Sequence, residues 1–230
     1  MPQLPVRLLL LLICTFLPYG SILQSRALGQ IVPDTTLGAD SSVVPDGAEA
    51  GTLPDVTITG GAARNTTLFH SFEQFNINPN QQVYFANPVD IDNIFSRITG
   101  GNISNINGLL GVDGSANLFL LNPNGIVFGP DATLDILGSF SASTAESFQF
   151  VDGQVFSATD PQAPPLLTLT VTPGLQRGLL QQGQSNIASD ITNAATLAVP
   201  TGQQLTLEGR NIIHTGSLLA PDGSVGLFGA

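Results

Sequence analysis

The packet Thr196-Leu197-Ala198-Val199-Pro200 recurs one unit later as Ser217-Leu218-Leu219-Ala220-Pro221, and each copy runs into a glycine turn. Inside the same units Leu205-Thr206-Leu207 recurs as Val225-Gly226-Leu227. Both offsets are about 20 residues, in the range of solenoid coils, where each coil closes its backbone bonds on its neighbours. The rest of the chain has the same grain. Val56-Thr57-Ile58, Val83-Tyr84-Phe85, Leu118 to Leu121, Ile126-Val127-Phe128 and Leu134 to Leu137 are short apolar packets between Gly, Pro, Asn and Asp. None is long enough for a stable helix, and only Ile91 to Arg97 and Gln176 to Gln182 look locally helical. The fold class is therefore all-β. Pattern alone leaves two architectures open, a parallel solenoid and an antiparallel sandwich with evenly spaced hairpins. Residues 152–173 break the rhythm with Pro161, Pro164 and Pro165. They read as an inserted loop or extrahelical hairpin, with Phe148 to Val151 and Val155 to Ser157 as arms around Asp152-Gly153.

Residues 1–29 read as a signal peptide. Arg7 supplies the positive start and Leu8 to Leu17 an apolar run of about ten residues, too short for a bilayer core that needs roughly 20. Pro18 and Gly20 end the run, and Ala27 and Gly29 provide the small residues of a cut before Gln30. Cys14 lies inside the run behind bulky Ile13, which does not suit a lipid-anchored cysteine.

Beyond Gln30 there is no cysteine and no lysine, and four arginines (Arg64, Arg97, Arg177 and Arg210) face all 17 acids. No disulfide can staple this part, so packing and backbone hydrogen bonds must hold it. So acidic a chain is repelled by phosphate backbones and anionic membrane surfaces, which excludes nucleic acid as a natural partner.

Between the packets ANLFLL and IVFG sits Asn122-Pro123-Asn124-Gly125. Pro presets the second turn position, Asn tolerates the third and Gly is favoured at the fourth, so the tetrapeptide describes a sharp corner between two strands. Its surroundings carry more. Leu68-Phe69-His70-Ser71-Phe72, the run Asn93 to Gly101 (NIFSRITGG), the NPNGI sequence at Asn122 to Ile126, and Gly138 to Thr144 (GSFSAST) follow in order. Together they resemble the haemagglutination-activity, or two-partner-secretion, domain at the N-terminus of filamentous haemagglutinin-like exoproteins. The likeness is strong over Ile31 to Thr144, and Gln30 to Asp34 (QIVPD) is similar to cyanobacterial members. The family's second signature, an NPNL-like tetrapeptide, maps onto Asn87-Pro88-Val89-Asp90, where the last two residues depart from it.

The resemblance implies a right-handed parallel β-helix with an N-terminal cap and a small antiparallel extrahelical sheet. Residues 30–150 would form the secretion domain core, and 151–230 would continue the coils around the inserted loop. It implies a secretion-directing domain, recognised by an outer-membrane β-barrel transporter with POTRA domains, that ends up secreted or on the cell surface. The recognition and secretion motifs would be Asn87, Pro88, Val89 and Asp90, and Asn122, Pro123, Asn124, Gly125 and Ile126. Adhesion, including any contact with cell-surface glycans, would belong to downstream regions. The chain stops at Phe228-Gly229-Ala230 within a repeat, where a solenoid ordinarily carries a polar cap. A fragment of a longer exoprotein or a truncated product is expected.

Two rival functions compete with this one. Parallel β-helices also host polysaccharide lyases and hydrolases, which need clustered carboxylates; Asp90 with Asp92, Asp131 with Asp135, and Asp113 are the candidates. They read as solvated turn residues, and no lysine is present to act as a base. A surface adhesin or carbohydrate-binding β-helix is the other alternative. His70 and His214 are the only histidines and lie far apart, so neither a metal site nor a cofactor is expected, and no G-x-S-x-G elbow is present. The reading is of a non-enzymatic protein.

Overall fold

A computed structural model describes residues 30–47, 55–150, 154–162 and 189–229. The chain winds into a parallel β-solenoid with three faces. The first carries Thr67–Phe75, Asn93–Ile98, Asn117–Leu121, Phe140–Ser143, Gln204–Gly209 and Ser224–Gly229, each parallel to the next. The second carries Ser104–Ile106, Ile126–Phe128, Ile191–Asn193 and Ile212–His214. The third carries Asp55–Gly60, Gln82–Ala86, Leu109–Asp113 and Thr133–Asp135, and Thr196–Ala198 packs beside the last of these and pairs with Ser217–Leu219.

The repeats read from sequence stack in register. Leu197 pairs with Leu218 and Leu205 with Val225, in both cases on parallel strands, so the sandwich alternative is excluded. In a parallel stack, residues at one register position point the same way, and each column must be chemically uniform. Leu68, Ile94, Leu118, Phe140 and Leu205 form such a column, all buried in the solenoid interior. Burying each of these side chains contributes roughly 1.5–3 kcal/mol.

The first face is buried on its outer side as well. Phe69, Phe95 and Phe119 stack up the outside, with ring centroids 5.8 and 4.4 Å apart. An antiparallel hairpin, Ser147–Gln149 paired with Val155–Ser157, lies over them. Phe148 meets Phe95 at 5.1 Å and Phe156 meets Phe69 at 4.9 Å, both edge-on. This second core explains why LFHSF and NLFLL are nearly unbroken apolar runs: both sides of these strands are covered. The hairpin expected around Asp152-Gly153 is present in its two arms.

At the N-terminal end, Ile31–Pro33 and Ala62–Arg64 pair antiparallel with Thr67–Phe75, and Ser42–Val43 pairs antiparallel with Asp55–Gly60. These reversed strands form a cap over the open edge of the first coil, as exposed parallel edges require.

The helical look of Ile91 to Arg97 is corrected. Residues Asn93–Ile98 are a strand with every residue buried, because Ile94, Ser96 and Ile98 fill the interior while Phe95 and Arg97 fill the outer core. Burial on both faces erases the alternation that marks a strand, and the spacing of Ile91, Ile94 and Ile98 mimics a helix. Gln176 to Gln182, residues 1–29 and most of the inserted loop lie outside the described residues.

Candidate functional site

The two Asn-Pro signatures occupy different corners of the solenoid. Asn122 to Gly125 turns the chain from the first face into the second. Asn87 to Asp90 turns it from the third face into the first. They are not brought together into one site.

The Asn122 corner is built inward. Asn122 is fully buried, and its carboxamide Nδ2 donates to the Asn102 carbonyl at 3.0 Å and to Ser104 Oγ at 2.9 Å, both on the preceding coil. Its Oδ1 accepts the Asn124 backbone N–H at 2.9 Å, a turn closed by the side chain itself. Asn124 Nδ2 then donates to the Gly100 carbonyl at 2.7 Å. Gly125 takes φ +120°, a conformation side chains disfavour, and its carbonyl accepts the Ser104 N–H at 3.0 Å. Ile126 leaves the corner pointing into the core. The side-chain amides of Asn122 and Asn124 thus tie this corner to the preceding coil while Asn122 Oδ1 closes the turn.

The Asn87 corner is half inward and half outward. Asn87 Nδ2 donates to the carbonyls of Pro88 and Ile91 at 2.9 and 3.1 Å, and its Oδ1 accepts the Ala116 N–H of the next coil at 2.8 Å. Gly114 leaves room for this: a Cβ there would come within 2.6 Å of Asn87 Cβ. Val89 and Asp90 stand clear of the body. Val89 is 88% exposed, the most exposed large apolar side chain among the described residues, and Asp90 adopts φ +69°. An apolar side chain so fully hydrated at a turn tip costs solvation energy and does no packing.

The candidate catalytic carboxylates serve the surface. Asp135 accepts the Tyr84 hydroxyl at 2.7 Å, and Asp131 donates its backbone N–H to Asn107 Oδ1. The Tyr84 phenol is pushed up to about 12 by that hydrogen bond, then by partial burial and the charges of Asp135, Asp113 and Asp55. No group of three or more His, Cys, Asp or Glu side chains gathers for a metal ion among the described residues. His70 sits inside the solenoid between Phe72 and Phe85, with Nδ1 2.9 Å from Ser42 Oγ. Burial lowers its pKa to about 3, so it is a neutral core residue.

The most elaborate polar cluster centres on Arg97, within the NIFSRITGG run, and its partners lie outside that run. Arg97 is fully buried on the outer side of the first face, and Asp34 lies next to it behind the hydroxyls of Thr36 and Ser71. In the sequence it shows as a cation in the middle of an apolar packet, IFSRIT, with nothing to indicate its partners.

The fold and the corner together define a capped parallel β-solenoid with an extrahelical hairpin and an inward NPNG corner. Residues 29–230 match the family model of the TPS secretion domain, and the chain belongs to that two-partner-secretion family. The heme/hemopexin-binding protein of Haemophilus influenzae is 33% identical over 104 residues, which are 45% of this chain and 11% of that protein. The crystal structure of the HMW1 secretion domain from Haemophilus influenzae superposes with a TM-score of 0.52 at 21% identity, covering 89% of this chain and 43% of that one. A filamentous hemagglutinin secretion domain is matched at 14% identity and a TM-score of 0.38, over 87% of this chain and all of that one. The chain thus spans about a tenth and under half of the first two relatives.

Proposed function

We propose that this domain directs export of an exoprotein: it is recognised in the periplasm by an outer-membrane β-barrel transporter bearing POTRA domains, passes through it, and folds as a β-helix outside. Membership of the secretion-domain family carries the reading. The leader-like residues 1–29 and the absence of cysteine beyond them support it, since a disulfide-closed loop would obstruct a narrow pore. The exposed Val89-Asp90 tip is the recognition element. It offers an apolar side chain, 88% exposed, beside a carboxylate on a turn, with no packing partner among the described residues. The Asn122 to Ile126 corner acts in secretion through folding.

The test co-expresses the chain with its transporter and measures secreted yield beside the thermal midpoint of purified protein. Val89→Ser with Asp90→Gly should reduce secretion several-fold at an unchanged midpoint. Unchanged secretion would move recognition elsewhere on the domain, and secretion without any transporter would overturn the export reading itself.

A further inference from the structure

The structure assigns to Arg97 the role of a latch that joins the N-terminal cap, the first coils and the extrahelical hairpin into one cooperative unit. The guanidinium reaches four segments at once. Nε donates to Ser71 Oγ at 2.9 Å and Nη2 to Thr36 Oγ1 at 2.8 Å. On the other side, Nη1 donates to the Ser157 carbonyl at 2.8 Å and Nη2 to the Gln162 carbonyl at 2.9 Å. The Phe156 ring closes the site, 4.2 Å from the guanidinium carbon.

The counter-charge is held at one remove. Thr36 Oγ1 and Ser71 Oγ accept from Arg97 and donate to the two Asp34 oxygens, each at 2.7 Å, and Thr99 Oγ1 donates to Asp34 Oδ2 at 2.5 Å. Each hydroxyl thereby has one donor and one acceptor, and two parallel relays run from cation to carboxylate. Burial works against ionising Asp34, yet these hydrogen bonds outweigh it and hold the carboxyl below its usual range. Burial likewise pulls Arg97 down to about 10, still charged at neutral pH.

Solenoid coils ordinarily depend only on their neighbours and can zip from any point. Here a single side chain binds residues 60 to 65 positions away in both directions, on the cap and on the hairpin. Without the hairpin, water would solvate the guanidinium and its hold on Thr36 would be an exposed, screened contact. With the hairpin seated, water is excluded, and releasing any partner strands a buried charge. The cap therefore locks only once residues 156–162 are in place. On the export reading, the consequence is an N-terminal region that stays pliable until the hairpin is available.

Hydrogen exchange on purified residues 30–230 tests the latch without reference to secretion, so failure of the export reading leaves it standing. The cap is read at the Asp34 and Asn76 amides, the hairpin at Phe150 and Ala158, and a remote control at Val199. Arg97→Met should accelerate cap and hairpin together, at least tenfold, and leave Val199 unchanged. Thr36→Val removes a relay that hydrogen-bonds Arg97 and Asp34 but not the hairpin, and serves if Arg97→Met does not fold. It should still accelerate Phe150 and Ala158 tenfold. Hairpin protection at the wild-type level in Thr36→Val, or acceleration of only one of the two elements in Arg97→Met, would overturn the latch.

Discussion

Asn87 accepts the Ala116 backbone N–H on its carboxamide oxygen at 2.8 Å, and so fastens the exposed turn it opens to the coil above. Within the motif Asn87 to Asp90 the structural roles divide: Asn87 holds the turn, and Val89 and Asp90 are exposed on it. Asn87→Ala loses three hydrogen bonds and leaves the Ala116 N–H without its partner, for a cost of about 2–3 kcal/mol. Val89→Ser and Asp90→Gly should stay within about 0.5 kcal/mol of wild type, because neither side chain packs on the body. Urea unfolding of the three variants checks this. A destabilised Val89→Ser with an unaffected Asn87→Ala would reverse the assignment.

At the other corner the burden falls on Asn122. Its side chain makes four hydrogen bonds from a fully buried position, so Asn122→Ala should cost about 4 kcal/mol at roughly 1 kcal/mol each. Asn122→Asp keeps the oxygen that closes the turn but loses both donors to the preceding coil, and should be no better than the alanine variant. An aspartate variant of wild-type stability would show that the turn alone matters, not its anchoring on Asn102 and Ser104.

Acid should act on the domain through His70 before it acts through carboxylates. The folded pKa of about 3 lies below the ordinary 6.5, so between these values the unfolded chain binds a proton that the folded one refuses. Stability is therefore full above pH 6.5 and falls as pH drops, by up to about 1.4 kcal/mol per unit, until about pH 3. Asp34, whose pKa is lowered from 3.8, adds its own loss only at the acid end of this range. His70→Asn keeps an acceptor for Ser42 but does not titrate. Its unfolding free energy should be nearly flat between pH 4.5 and 6.5, where wild type slopes. Equal slopes for the two proteins would place the titrating group elsewhere.

How legible this was depended on where side chains found their partners. The final coils repeat at a near-constant interval because their corners are short, and Leu197/Leu218 and Leu205/Val225 could be paired on sequence alone. Lower in the stack the intervals from Phe69 to Phe95 and from Phe95 to Phe119 are longer and unequal, since turns such as Asn87 to Asp90 lengthen the coil, and the period dissolves. The hairpin showed itself through local features, two short apolar arms about an Asp-Gly. The Arg97 cluster did not, because its partners are hydroxyls and backbone carbonyls on segments up to 65 residues away, a combination with no sequence signature. The NPNG corner was legible as a turn, while its anchoring in the preceding coil came only with the stacking.

The third face offers a spectroscopic reporter of that stacking. Tyr84 lies beneath Gly111 and Asp135 in one outward column, and its hydroxyl spans two rungs to reach the Asp135 carboxylate. The ring crosses Gly111 so closely that a Cβ there would run into it. Donation to Asp135, then partial burial and the surrounding carboxylates, hold the phenol proton on until about pH 12. In protein starting at Gln30, Tyr84 is the sole tyrosine, so absorbance at the phenolate band follows it alone. Asp135→Ala removes the acceptor and the nearest charge, and the midpoint should fall toward the ordinary value of 10. Gly111→Ala leaves every charge in place but forces the ring aside. Its midpoint should fall as well, by less than in Asp135→Ala because the charge of Asp135 remains. If Gly111→Ala still titrates near 12, the phenol does not cross that glycine, and the in-register column of Tyr84, Gly111 and Asp135 is wrong.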